Sequence, residues 1–194
     1  MTIKMKTLIS KLTLAVVAIA FVATNSFAQN MMKEKTVMVG GAAMYPSKDI
    51  VDNAVNSKDH TTLVAAVKAA GLVETLKSAG PFTVFAPTNA AFEKLPAGTV
   101  ENLLKPENKA TLTKVLTYHV VAGKMDAKDL SMAIKAGKGK ATLKTVSGGT
   151  LIATMKGKNI MLKDENGGMS TVTIADVYQK NGVIHVVNSV VLPN

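Results

Sequence analysis

The chain has 194 residues, 47% of them hydrophobic, enough for one domain with a core of ordinary size. It contains no cysteine, which excludes a disulfide framework and a lipid-attached lipoprotein. The formal net charge is +10, but all of the fixed positive charge is lysine; without the bidentate arginine fork that phosphate and base recognition favour, nucleic acid is not an expected partner.

Lys4, Lys6 and Lys11 precede an uncharged apolar run from Leu12 to Ala23, and Ser26-Phe27-Ala28 offers small residues where a signal peptidase reads. Residues 1–28 are therefore read as a signal peptide cleaved before Gln29. The apolar run is shorter than the roughly 20 residues a bilayer span needs. The expected product is exported, periplasmic or extracellular, with no lipid or transmembrane anchor. Removing the three signal lysines leaves a net charge of +7. Residues 29–47 read as a flexible leader with Met31, Met32, Met38 and Met44. Thioethers can bind Cu(I), but no spacing here fixes a site, and no cofactor is expected.

The folded domain is expected over 48–194. Ile50, Val51 and Ala54 predict a short helix; Leu63, Val64 and Val67 follow helical spacing, with Asp59 or Thr61 as N-cap. Gly71 ends or bends that helix. Leu72, Val73 and Leu76 continue an apolar face until Gly80-Pro81 stops it. Thr83 to Ala86 reads as a buried strand before Pro87. Thr88 and Asn89 then open a helix to Leu95, where a capping oxygen is worth about 1 kcal/mol. Thr99 caps Val100 to Leu104, and Pro106 suits the first turn of a longer helix. On that helix Leu112, Val115, Leu116 and His119 share one face, and Val120 to Gly123 leaves it extended. Asp126 and Asp129 predict an N-cap with an acidic first turn for Leu130 to Ala136, with Gly137 as C-cap.

Beyond Gly137 the apolar period changes from 3.6 to 2. Strands are predicted over Ala141–Val146, Thr150–Met155, Ile160–Lys163, Thr171–Tyr178 and Val183–Leu192, with Asn181-Gly182 as a hairpin turn whose two positions tolerate positive φ. Helices followed by a run of antiparallel strands give an α+β class.

Lys135, Lys138, Lys140, Lys144, Lys156, Lys158 and Lys163 occupy a stretch without Asp or Glu; the rest of the mature chain has 13 lysines against 13 acids. Such a patch attracts diffuse negative charge, from acidic polysaccharide to an anionic membrane surface, or simply solvates a face. His119 reads as a buried neutral imidazole bonded to Thr88, Asn89 or backbone, and His185 as a core histidine among valines. Tyr118 either packs or presents its ring to a partner. No carboxylate stands at ligand spacing from any of the three histidines, so no metal site is expected. No Ser or Thr lies in a nucleophile-elbow context, and Glu93 and Glu101 fall on separate helix pieces, so no enzyme is expected either.

Three segments carry a resemblance. Gly80 to Phe92 (GPFTVFAPTNAAF), Leu116 to Gly123 (LTYHVVAG) and Asn181 to Pro193 (NGVIHVVNSVVLP) resemble, in order and spacing, the first signature box, the tyrosine–histidine segment and the second signature box of the fasciclin-like domain family. His60 departs from the pattern, standing where the family often has an aromatic residue. The resemblance implies helices packed on an antiparallel β-wedge. It also implies a secreted, non-catalytic adhesion module whose partner is a cell-surface or matrix protein. It marks Tyr118 and His119 as candidate contact residues, beside Lys138, Lys140, Lys156 and Lys158 from the charge pattern. Thr83, Phe85, Pro87, Thr88, Asn89, Phe92, Asn181, Gly182 and His185 are then structural motif residues. Adhesion by one such domain calls for a second contact surface or self-association.

Overall fold

The computed structural model describes residues 34–194; the expected signal peptide, Met31 and Met32 lie outside them. Its first element is one the sequence did not announce. β1 (Val37–Val39) and β2 (Ala42–Met44) form an antiparallel hairpin with Val37 opposite Met44. The turn glycines, Gly40 and Gly41, have φ of 56° and 77°, a conformation that costs glycine little. Val39 and Met44 are buried in the core. The expectation of a flexible leader is thus corrected over residues 37–44. Three-residue strands are too short to display a period, and burial of their ends is a tertiary fact.

The helical half follows as α1 (Ile50–Ala54), α2 (Thr61–Ala70), α3 (Val73–Lys77), β3 (Phe82–Pro87), α4 (Asn89–Phe92), α5 (Thr99–Leu103), α6 (Lys109–Tyr118), β4 (Val120–Ala122) and α7 (Ala127–Ala136). Several boundaries move. The helix from Asn89 stops at Phe92. Thr99 is the first residue of α5, behind a left-handed Gly98, and Pro106 opens a 3-10 turn ahead of α6. α7 begins as expected: Asp126 Oδ1 accepts from the Asp129 N–H at 2.9 Å, and Asp129 Oδ2 accepts from the Asp126 N–H at 3.2 Å, a reciprocal capping box. Its end differs. Gly137 has φ −84°, and the left-handed residue is Lys138 at φ 56°. Gly137 is required instead for space, because a Cβ there would lie 1.9 Å from the Lys140 carbonyl oxygen.

β5 (Lys140–Lys144), β6 (Thr150–Lys156), β7 (Asn159–Lys163), β8 (Met169–Gln179) and β9 (Gly182–Val187) complete the chain, the last ending at Val187 rather than Leu192. The sheet order is β4-β3-β9-β8-β7-β6-β5, and a bridge between Val121 and Thr145 brings its two ends together into a nearly closed wedge. Every pair is antiparallel except β3 with β9, which run parallel with Phe85 beside His185. Both of these strands are buried on two faces. Val84, Ala86, Ile184 and Val186 pack under α2 and α6, while Phe85 and Val187 face the interior shared with α7 and β5–β8. Two-sided burial is why VFA and VIHVV read as unbroken apolar runs without alternation.

Candidate functional site

The first box is an assembly point for helix ends. Thr88 accepts from the Ala91 N–H at 3.2 Å and caps α4. Asn89 reaches across to a different helix: its Oδ1 accepts from the Thr62 N–H at 3.0 Å and the Thr61 hydroxyl at 3.2 Å, and its Nδ2 donates to the Lys58 carbonyl at 2.9 Å. The start of α2 is therefore capped by Asn89, and not by Asp59 or Thr61. A sequence-local capping rule cannot find an acceptor 27 residues away.

His119 is buried, but its partners are backbone, not Thr88 or Asn89. Nδ1 lies 2.8 Å from the Val115 carbonyl, and Nε2 lies 3.2 Å from the Val191 N–H. A carbonyl can only accept and an N–H can only donate, so the ring is neutral with its proton on Nδ1. Burial pushes its pKa down from 6.5 to about 4. Tyr118 is fully buried; its hydroxyl donates to the Thr150 carbonyl at 2.6 Å and accepts from the Glu165 N–H at 3.2 Å. Burial lifts that hydroxyl to about 12. Gly149 packs against the ring, where a Cβ would come within 2.7 Å of Cε2. His119 is buried as expected, and of the two roles open to Tyr118 the structure shows packing: Tyr118 ties two sheet turns together, and His119 holds the C-terminal segment.

The second box acts on the first. Thr83 Oγ1 donates to the Gly123 carbonyl at 2.7 Å and accepts from the Met125 N–H at 2.9 Å. His185 Nε2 donates to the Met125 carbonyl at 2.9 Å and its ring stacks on Phe85 at 5.7 Å. The two boxes thereby clamp the segment leading into α7. Pro87 pairs with Val187, and Phe92 is buried under α2 and α6. Asn181 and Gly182 do belong to the β8–β9 hairpin, for a reason other than the one expected. Gln179 pairs with Gly182, and no residue of the turn has positive φ. Asn181 instead accepts from the Ile50 N–H at 3.1 Å and donates to the Leu76 and Ser78 carbonyls, joining α1 to the end of α3. Gly182 is held to hydrogen by the Phe82 carbonyl, 2.1 Å from where its Cβ would be.

What remains at the surface is lysine. On the outer face of β5–β8 the register places Lys140, Thr154, Met161 and Thr171 in one row and Thr142, Ile152, Lys163 and Met169 in the next. Lys144 stands beside Thr150, and Lys156 beside Asn159. All four lysines are exposed, while Ala141, Leu143, Leu151, Ala153, Ile160 and Leu162 on the other face are buried. Lys138 lies in the link from α7, and Lys158 in the β6–β7 turn. Ion pairs among the described residues join Lys77 to Asp49 and Asp52, so the sheet lysines face solvent without a partner charge. Lys144 and Lys163, absent from the candidates chosen by charge density, belong to this face; counting every second residue along the predicted strands would have found them. Among the described residues no group of three or more His, Asp or Glu is placed to hold a metal, and no helix is long and apolar enough to cross a membrane. In the leader, Met44 is a core residue and Met38 is exposed.

Comparison with known proteins follows the same lines. The family model for the fasciclin domain matches residues 58–193. Protein sll1483 of Synechocystis is 44% identical over 188 residues, covering 90% of this chain and 95% of its own. Immunogenic protein MPB70 of Mycobacterium bovis is 36% identical over 145 residues, 72% of this chain and 66% of its own. A domain pair from the insect cell adhesion molecule Fasciclin I shares the fold with a TM-score of 0.67 at 18% identity, over 76% of this chain and 52% of that one.

Proposed function

The chain belongs to the fasciclin domain family, and from that premise we propose that it is an exported, non-catalytic adhesion module whose contact surface is the lysine-bearing outer face of β5–β8. The observation that carries this reading is the register itself. Four unpaired ammonium groups share one sheet face with threonines and with Ile152, Met161 and Met169, while the tyrosine–histidine pair is buried. Ammonium groups on a sheet are spaced point charges that suit a polymer with repeating negative charge, and the threonine hydroxyls and methionine thioethers between them suit sugar rings. The partner is accordingly an acidic polysaccharide of a cell surface or matrix. Fasciclin I offers the precedent of this fold in a cell adhesion molecule.

The test is attachment of a strain lacking the protein to polysaccharide-coated surfaces. Wild-type protein restores attachment; a variant with Lys140, Lys144, Lys156 and Lys163 all changed to Gln does not. Equal restoration by both would remove the lysine face from the account, and unchanged attachment by the deletion strain would remove adhesion.

A further inference from the structure

The space between α2 and the parallel strands β3 and β9 is incompletely filled. A cavity of about 110 Å³ lies there, walled by Leu63, Val67, Phe82, Val84, Ile184 and His60. His60 is 3% exposed, and its Nε2 is the one buried side-chain nitrogen or oxygen among the described residues with no hydrogen-bond partner. The ring is fixed from its other side, where Nδ1 lies 2.8 Å from Ser57 Oγ. The Ala86 carbonyl, in the same wall, favours a proton on the ring without reaching hydrogen-bond geometry with Nε2. Burial lowers the pKa of His60, which keeps the ring neutral at pH 7.

An unpaired buried nitrogen costs about 1–3 kcal/mol, and a water placed beside it would need two to four polar partners to be held. This wall offers His60 Nε2 and the Ala86 carbonyl, the lower limit for holding one. We propose that this cavity is a binding site for a compact apolar molecule carrying a single hydroxyl group, a ring-sized alcohol or phenol, whose hydroxyl pairs with His60 Nε2. A hydroxyl both donates and accepts, so it satisfies the nitrogen in either tautomer. Size restricts the ligand as firmly as polarity does. An apolar cavity of about 150 Å³ takes one benzene ring, so this one, at about 110 Å³, holds at most a single ring. On the side of α2 and α3 the lining includes the exposed Lys68 and Thr75 and the half-buried Val64 and Val73. The site shares no residue with the lysine face and goes beyond the adhesion reading.

Phenol and toluene are the probes, titrated into the isotope-labelled full chain and followed by NMR. Both are expected to shift the Leu63 and Ile184 methyl resonances, and phenol alone the His60 Nε2 resonance. In His60→Leu, phenol affinity is expected to fall about tenfold, the equivalent of one hydrogen bond, with toluene affinity within about threefold of wild type. The Nε2 shift in the unaltered protein decides the matter if that variant fails to fold. Absence of any shift at millimolar probe, shifts confined to other residues, or equal losses for both probes would overturn the proposal.

Discussion

Single side chains in this molecule do their work at a distance. Asn89 stands in a motif that looks like the cap of its own helix, yet it closes the start of α2 through three hydrogen bonds. Asn89→Ala is expected to lower unfolding free energy by about 2 kcal/mol, twice the effect of Thr88→Ala, which removes one local cap; chemical denaturation of the two variants checks the order. Asp164 is comparable. Its carboxylate accepts from the N–H groups of Gly168 at 2.6 Å, Asn166 at 3.1 Å and Leu192 at 3.0 Å, fastening the C-terminal segment to the β7–β8 turn. Asp164→Ala leaves three donors unpaired and should cost about 3 kcal/mol, where Asp164→Asn retains part of it.

The histidines give the fold its acid response. Burial lowers the pKa of His60, His119 and His185, the second to about 4. Above pH 6.5 each ring is neutral in both folded and unfolded chains, and stability is at its full value. Below 6.5 the unfolded chain takes up protons that the folded one refuses. Stability therefore falls as pH drops from 6.5 toward 4, with His119 alone contributing about 3 kcal/mol of the loss. Urea midpoints measured across that window should decline steadily; a flat profile would show that the rings accept protons in place. His119→Gln should start lower at pH 7 and lose less on acidification.

Among the elements, legibility tracked how local the cause is. α7 was readable in full because Asp126, Asp129 and the Leu130–Ile134 spacing act within one helix. The strands β5–β8 were readable because one face is buried and the other wet, which writes a period of two into the sequence. The β1–β2 hairpin, the parallel pairing of β3 with β9, and the cap on α2 depend on partners far along the chain, and no local pattern records them. Lys138 marks a fault that follows from this reading. It holds φ 56° at the end of α7, where glycine would be unstrained. Lys138→Gly is expected to raise stability by about 0.5–1 kcal/mol, seen as a higher denaturation midpoint, while a loss would mean that the lysine makes a compensating contact.

At the scale of the molecule, the three resemblance segments turned out to be the frame and the charge pattern the surface. Tyr118, His119, His185 and Asn181 lock helices to the wedge and leave nothing of themselves for a partner. The excess charge over residues 29–194 lies where the sheet turns outward, and strand alternation sorts Lys140, Lys144, Lys156 and Lys163 onto one face. A contact made by such a face is electrostatic and must weaken as salt shortens the screening length from about 10 Å at 0.1 M to about 3 Å at 1 M. The direct measurement is retention of the purified protein, residues 29–194, on a column of immobilised acidic polysaccharide, eluted with a salt gradient. The expected result is retention that falls steeply with salt and collapses when the four lysines become glutamine, but stays near wild type when Lys105, Lys109, Lys114 and Lys124 are changed instead. Retention insensitive to salt, or lost equally in both quadruple variants, would contradict a dedicated lysine face.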